Sequence, residues 1–258
     1  MKKTSNMPVV ALAALLTVAP FAQASTTSAG RYDSQIQTSV AQKLDDKSDF
    51  KSVRSTVEDG IVTLTGAVDS YKLKLDAEKQ ARKSDKQVKG VRNLIEVAGP
   101  VSSDAELQKK LTNRISHDRV GYYDVAFNAV TVSVNDGVAT LGGVTADYPA
   151  YNDALAIAQN TKGVKDVVNN MRVLPTSGFD DELRARLYRA IYRDNVLSKY
   201  AMDPVRPIRI VVSGGNIALY GQVDSTMDRN IAGIRARQVF GGFSVENNLT
   251  LPNRAEAR

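Results

Sequence analysis

The 258-residue chain contains one histidine and no cysteine. His117 stands among Ser116, Asp118 and Arg119. General acid–base work needs an oriented partner and a pocket, so a lone histidine in a polar stretch is expected at the surface. Without cysteine there is no thiolate nucleophile and no disulfide. No His/Cys/Asp group has the spacing of converging metal ligands, and no glycine fingerprint opens a helix to cradle phosphate. The residue types therefore predict no catalytic site, no metal and no cofactor. What remains is surface charge. Arg186, Arg189 and Arg193 fall on one helical stripe, Tyr188 and Tyr192 on a second, and Leu183, Leu187 and Ile191 on a third that faces inward. Cations with interfacial tyrosine are the chemistry of a helix lying on an anionic membrane. The competing reading is a solvated basic face with the tyrosines packed on a neighbouring part of the chain. Lys79, Arg82, Lys83 and Lys86 form a second basic cluster, diluted by Asp76 and Glu78. One basic residue near an anionic membrane contributes only about 1 kcal/mol, so such sites must act together, as linked modules do.

The elements that would position these residues repeat. Asp59-Gly60-Ile61-Val62-Thr63-Leu64-Thr65-Gly66 has counterparts in Asp136-Gly137 through Gly143 and in Gly214-Gly215 through Gly221. Gly66, Gly143 and Gly221 recur at intervals of 77 and 78 residues, so three copies of one module follow. In each, an alternating strand meets a glycine pair that accepts positive φ in a tight hairpin. A second strand then runs to the later glycine, where the backbone bends or is closely approached. Ser70, Asp147 and Ser225 are placed to cap a following helix. Ala77 and Ala81, Ala154 and Ala158, and Ala232 and Ala236 put small residues on that helix's inner face.

A last strand, such as Val164 to Val173, completes each copy. An earlier helix opens it, read from the stripes Ile36/Val40/Leu44, Leu107/Leu111/Ile115 and Leu183/Leu187/Ile191. Ser103 with Glu106 reads as a capping box. The predicted class is α+β: three tandem αββαβ modules over 31–98, 103–174 and 179–251, each a three-stranded mixed sheet with two helices on one face. The stretches 117–128 and 199–207 are expected as loops. Tyr122, Tyr123 and Phe127 form an aromatic cluster that either inserts at an interface or closes a core. Ser25–Gly30 and Asn253–Arg258 are expected as frayed ends.

Residues 1–24 read as a secretory signal peptide: Lys2 and Lys3, an apolar run from Val9 to Ala19, then Ala22-Gln23-Ala24 with cleavage expected before Ser25. The run is short for a membrane span, which needs about 20 apolar residues. Loss of Lys2 and Lys3 takes the formal charge from +6 to +4. By copy it is +2 over 31–99, −1 over 100–175 and +3 over 176–258. Export argues against nucleic acid as a partner and toward anionic lipid, cell wall or acidic protein.

The strand–Asp-Gly–strand–Gly element, with the ending Gly163-Val164-Lys165-Asp166-Val167-Val168-Asn169-Asn170, resembles the BON (bacterial OsmY and nodulation) domain family. Copy two matches best. Copy one has Gln87 in place of Gly163, and copy three has Gly-Gly at its hairpin. The whole chain resembles osmotically inducible periplasmic proteins built of tandem BON modules. The resemblance implies a periplasmic, non-catalytic envelope-stress protein that binds phospholipid or supports the membrane. It gives Gly60, Gly66, Gly137, Gly143, Gly163, Gly215 and Gly221 structural roles. The second reading is a protein-interaction or chaperone-like module whose open sheet edges pair with envelope proteins.

Overall fold

The computed structural model describes residues 28–99, 102–118 and 123–252; the expected signal peptide and the tail after 252 lie outside the described residues. Copy one comprises α1 (Ser28–Asp45), β1 (Arg54–Glu58), β2 (Ile61–Thr65), β3 (Ala67–Val68), α2 (Tyr71–Ser84), β4 (Gly90–Asn93) and β5 (Glu96–Val97). Copy two comprises α3 (Asp104–Asp118), β6 (Ala129–Asn135), β7 (Val138–Thr145), α4 (Tyr148–Asn160), β8 (Asp166–Asn169) and β9 (Arg172–Val173). Copy three comprises α5 (Gly178–Tyr192), β10 (Arg209–Ser213), β11 (Asn216–Gln222), α6 (Thr226–Arg237) and β12 (Ser244–Thr250). Helix α1 begins at Ser28, inside the stretch expected to be frayed. The two expected loops each carry a 3-10 turn, Tyr123–Phe127 and Ser198–Ala201.

Each copy is a mixed sheet with the second strand at its centre. The hairpin pairs β1 with β2, β6 with β7 and β10 with β11 antiparallel. The last strand returns through the second helix to lie parallel to the central one: β4 on β2, β8 on β7, β12 on β11. The hairpin turns place Asp59 and Gly60 at φ 52 and 79, Asp136 and Gly137 at 51 and 79, and Gly214 and Gly215 at 56 and 76. Two successive left-handed residues define the type I′ turn that suits strand twist. At the later glycine a Cβ would lie 2.0 Å from the Ser52 carbonyl oxygen at Gly66, 2.0 Å from that of Ala129 at Gly143, and 2.6 Å from that of Pro207 at Gly221. Only glycine fits a backbone so close. The central strand breaks at Gly66 in copy one but runs through Gly143 and Gly221 in the others.

Both helices lie on one face. The apolar stripes of α1, α3 and α5 and the alanine pairs of α2, α4 and α6 are buried, apart from the partly exposed Ile115. The other sheet face is open, as the outward Arg54, Thr56 and Glu58 of β1 illustrate. Ser70, Asp147 and Ser225 accept from the amides of Leu73, Ala150 and Asp228, and Ser103 and Glu106 bond reciprocally. Asn93, Asn169 and Asn247 each accept the amide two residues on. Each also donates to the second helix, at Lys74 O, Tyr151 Oη and Arg229 O.

The two joints differ. Copies one and two meet through polar contacts. Lys162 Nζ lies 3.1 Å from Asp69 Oδ2. Burial and the bonded Asp166 carboxylate push the Tyr71 hydroxyl up to about 12. Gly99 of the linker lies so close to Gly163 that a Cβ would sit 2.5 Å from its backbone. Copies two and three instead share apolar side chains. Ala126 and Phe127 of copy two are buried in the core of copy three with Leu187, Ile210 and Leu219. Arg209 of copy three donates back to the Val125 carbonyl.

Candidate functional site

Helix α5 is capped by Ser177, whose hydroxyl accepts from the Asp180 amide. Its buried stripe turns Arg189 and Arg193 fully outward and leaves Arg186 half-exposed beside Glu182 at 3.9 Å. Arg189 and Arg193 make no ion pair among the described residues.

The tyrosines expected at an interface lie elsewhere. Tyr192 is 8% exposed, and its hydroxyl donates to the Ile208 carbonyl at 2.6 Å. Burial raises its pKa far above the usual phenol value. The half-buried Tyr188 packs edge-on to Phe127, centroids 6.2 Å apart, and against Tyr192 at 4.7 Å. Both rings seal the joint between copies two and three. Tyr192 is therefore not a lipid-contact residue, because its ring is in a core and its hydroxyl is bonded. The same joint takes Phe127 of the aromatic cluster into a core rather than an interface.

Lys79, Arg82 and Lys83 on α2 and Lys86 in the turn just after it are all exposed, and Arg82 pairs with Glu78 at 3.0 Å. The two basic sets thus sit on separate copies. His117 is exposed with its Nδ1 2.7 Å from the Asn113 carbonyl oxygen. No group of three or more His, Cys, Asp or Glu gathers as for a metal among the described residues. A cavity of about 50 Å³ within copy two, edged by Arg209 of copy three, has room for little beyond water. A connected polar cluster supports α6. Burial alone would raise the Asp228 carboxyl, but Lys199, Tyr200 and Ser225 donate to it and hold it below the usual carboxylate range.

Two features escaped the sequence reading. The first is a carboxylate clamp. Asp33 accepts the amides of Asp59 and Gly60 at 2.9 and 2.8 Å, Asp104 those of Asp136 and Gly137 at 2.7 and 2.9 Å, and Asp180 those of Gly214 and Gly215, both at 2.8 Å. The first helix of each copy thereby holds its hairpin.

The second is the turn between the second helix and the last strand. The amides of Lys89, Lys165 and Phe243 donate to the carbonyls of Gly60, Gly137 and Gly215, each at 2.9 Å, so the three positions are equivalent. Three residues earlier stand Lys86, Lys162 and Phe240. Copies one and two thus carry Lys-Gln-Val-Lys and Lys-Gly-Val-Lys where copy three carries Phe240-Gly241-Gly242-Phe243. Phe240 is 89% exposed and Phe243 77%. Phe179, at the start of α5, stacks on Phe243 with centroids 6.2 Å apart. The signal was visible in the aligned repeats, but it reads as a turn until burial is known.

The BON domain profile matches residues 32–99, 103–175 and 180–253. The chain belongs to the BON domain family. BON domains are associated with phospholipid binding and with osmotic-stress proteins, and the family is generally non-catalytic. A relative from Anaplasma centrale, described as an uncharacterized protein in gshII 5'region, is 30% identical over 131 residues, 48% of this chain and 83% of its own length. Two solved structures of CdsD, a structural protein of the type III secretion system of Chlamydia trachomatis, cover 86% of this BON protein. They span 95% and 96% of their own chains, at 14% and 13% identity with TM-scores of 0.22 and 0.23. At those TM-scores the likeness says nothing about function.

Proposed function

We propose that this BON protein is a non-enzymatic component of the bacterial periplasm, exported by a signal peptide cleaved before Ser25, that binds anionic phospholipid surfaces. The observation that carries this reading is the set of exposed cations on the outer copies. Arg189 on α5 and Arg193 at its C-cap, with Lys79 and Lys83 on α2 and Lys86 in the turn after it, extend into solvent without a carboxylate partner among the described residues. Each is weak alone at about 1 kcal/mol, but tethering in one chain makes the second engagement intramolecular. Flotation of the mature protein with phosphatidylglycerol and with phosphatidylcholine vesicles across a salt series tests it. Binding to the anionic vesicles that weakens with salt is expected. Failure to float on them at low salt rejects it.

A second reading rests on β12, seven residues long and paired among the described residues only with β11. Its free edge is a template for an extended segment of an envelope protein. Suppressed aggregation of an unfolded envelope protein, without vesicle binding, would favour this reading.

A further inference from the structure

We infer that the Phe240–Phe243 turn of copy three, with Phe179, is a preformed wedge that enters the interfacial region of an anionic phospholipid leaflet, with Arg186 placed to meet a headgroup phosphate. This rests on the membrane-binding reading and names the element that penetrates.

The argument begins with the internal comparison. The two turn positions are exposed in all three copies, so the fold does not require an apolar side chain there. Lysine serves at both in copies one and two, yet copy three has phenylalanine at both. Lone exposed apolar residues are ordinary, but grouped aromatics on a surface mark a contact site. Here two of the chain's six phenylalanines, Phe179 and Phe243, stack on each other, and a third, Phe240, stands on the same turn as Phe243. Phe179 adds 46% exposure to the two turn residues.

The Phe243 end of the wedge is held in place before it binds. The Phe243 amide is held by Gly215 O at 2.9 Å. Its ring lies over the hairpin, where a Cβ at Gly215 would be 2.7 Å from Phe243 Cδ2 and 3.3 Å from Phe179 Cε1. Gly241, at φ 102, makes the bend. Ordering costs are therefore small when it inserts.

The charge fits an anionic surface. An Arg186 guanidinium nitrogen lies 3.5 Å from where a Gly241 Cβ would be, so the cation borders the rings. The neighbouring Asp180 is 2% exposed and consumed by the hairpin clamp. Glu182 stands 3.9 Å from Arg186, itself exposed. A convex aromatic turn beside a cation suits a soft planar interface, where rings sit at the boundary and cations at the phosphates. Two such turns facing each other would oppose their Arg186 charges, which disfavours a second copy of the chain as occupant.

The chain has no tryptophan, so a single substitution creates a clean reporter. In the full mature protein, Phe240→Trp is expected to shift its emission to the blue with phosphatidylglycerol vesicles and to be quenched by brominated acyl chains. Little change is expected with phosphatidylcholine alone. Phe240→Lys with Phe243→Lys, which restores the pattern of copies one and two and so should fold, is expected to lower partitioning about tenfold or more at salt high enough to screen the two added cations. Arg186→Gln should lower it more on anionic than on neutral vesicles. If the protein floats but the tryptophan emission does not move, or the double lysine variant floats like wild type at that salt, the wedge is wrong and the membrane reading stands. If wild type floats on no vesicle, both fall. Loss of holdase activity or of self-association in the double variant, with vesicle binding unchanged, would assign the turn to a protein partner and reject the wedge.

Discussion

In copy two the turn after α4 presents Lys162 and Lys165, and Lys162 reaches Asp69 of copy one at 3.1 Å. In copy three the same turn presents Phe240 and Phe243 to solvent. Nothing in the frame distinguishes them: both end on an amide bonded to the hairpin carbonyl at 2.9 Å, and both hairpins are clamped by an aspartate of the first helix. The difference teaches that the BON frame is set by a small group of glycines, buried small residues and carboxylate bonds. The exposed turn is free to become a joint in one copy and a contact surface in another. Copy three also carries most of the large apolar residues exposed among the described residues, Met202, Met227 and Ile234 with the phenylalanines among them.

The largest expected effect tests whether copies two and three fold as one unit. Phe127→Ala removes a ring contributed by copy two to the core of copy three. It should cost about 3–5 kcal/mol, seen as a lower urea midpoint and as lost amide protection in α5 and β10, with α1 and α2 unchanged. Protection lost only in copy two would break the comparison.

Next comes the frame itself. Gly66→Ala places a Cβ against the Ser52 carbonyl at a φ of 110. A loss of about 3 kcal/mol follows, confined to copy one in hydrogen exchange because its joint to copy two is polar.

A smaller effect separates copy three by pH. The Asp228 carboxyl is held below its ordinary value, so it contributes stability above the unfolded value of about 4 and loses it as pH falls through the folded value. Asp228→Asn should cost about 2 kcal/mol near neutrality and flatten the acid limb of the stability curve. An unchanged acid limb would contradict the assignment. The smallest effect belongs to the first joint. Lys162→Ala breaks an ion pair whose side chains are 63% and 68% exposed. It should cost less than about 1 kcal/mol in denaturant melts, in contrast to Phe127→Ala.

Much of the frame was legible in the sequence because it is local or periodic. A glycine pair between alternating strands specifies a hairpin, and alanines four apart on a capped helix specify a close-packed face. The glycine interval then places all three copies. The clamp was not legible, because Asp33 and Gly60 are 27 residues apart and joined only by the fold. Tyr188 and Tyr192 sit at the spacing of an interfacial helix. Tyr188 instead packs on Phe127, which arrives from another copy, and Tyr192 turns its hydroxyl to the Ile208 carbonyl in the core. The aromatic turn hid for the opposite reason: Phe-Gly-Gly-Phe predicts a turn correctly, while exposure is a property of the packed chain.

Flotation of the mature protein and of the Phe240→Lys/Phe243→Lys variant on phosphatidylglycerol vesicles, over rising salt, tests the central claim most directly. Electrostatic attachment is screened within about 10 Å at 0.1 M salt, whereas ring insertion is not. Wild type should keep a salt-resistant bound fraction that the double variant lacks. Superimposable salt curves for the two proteins, or no binding by either at low salt, would contradict it.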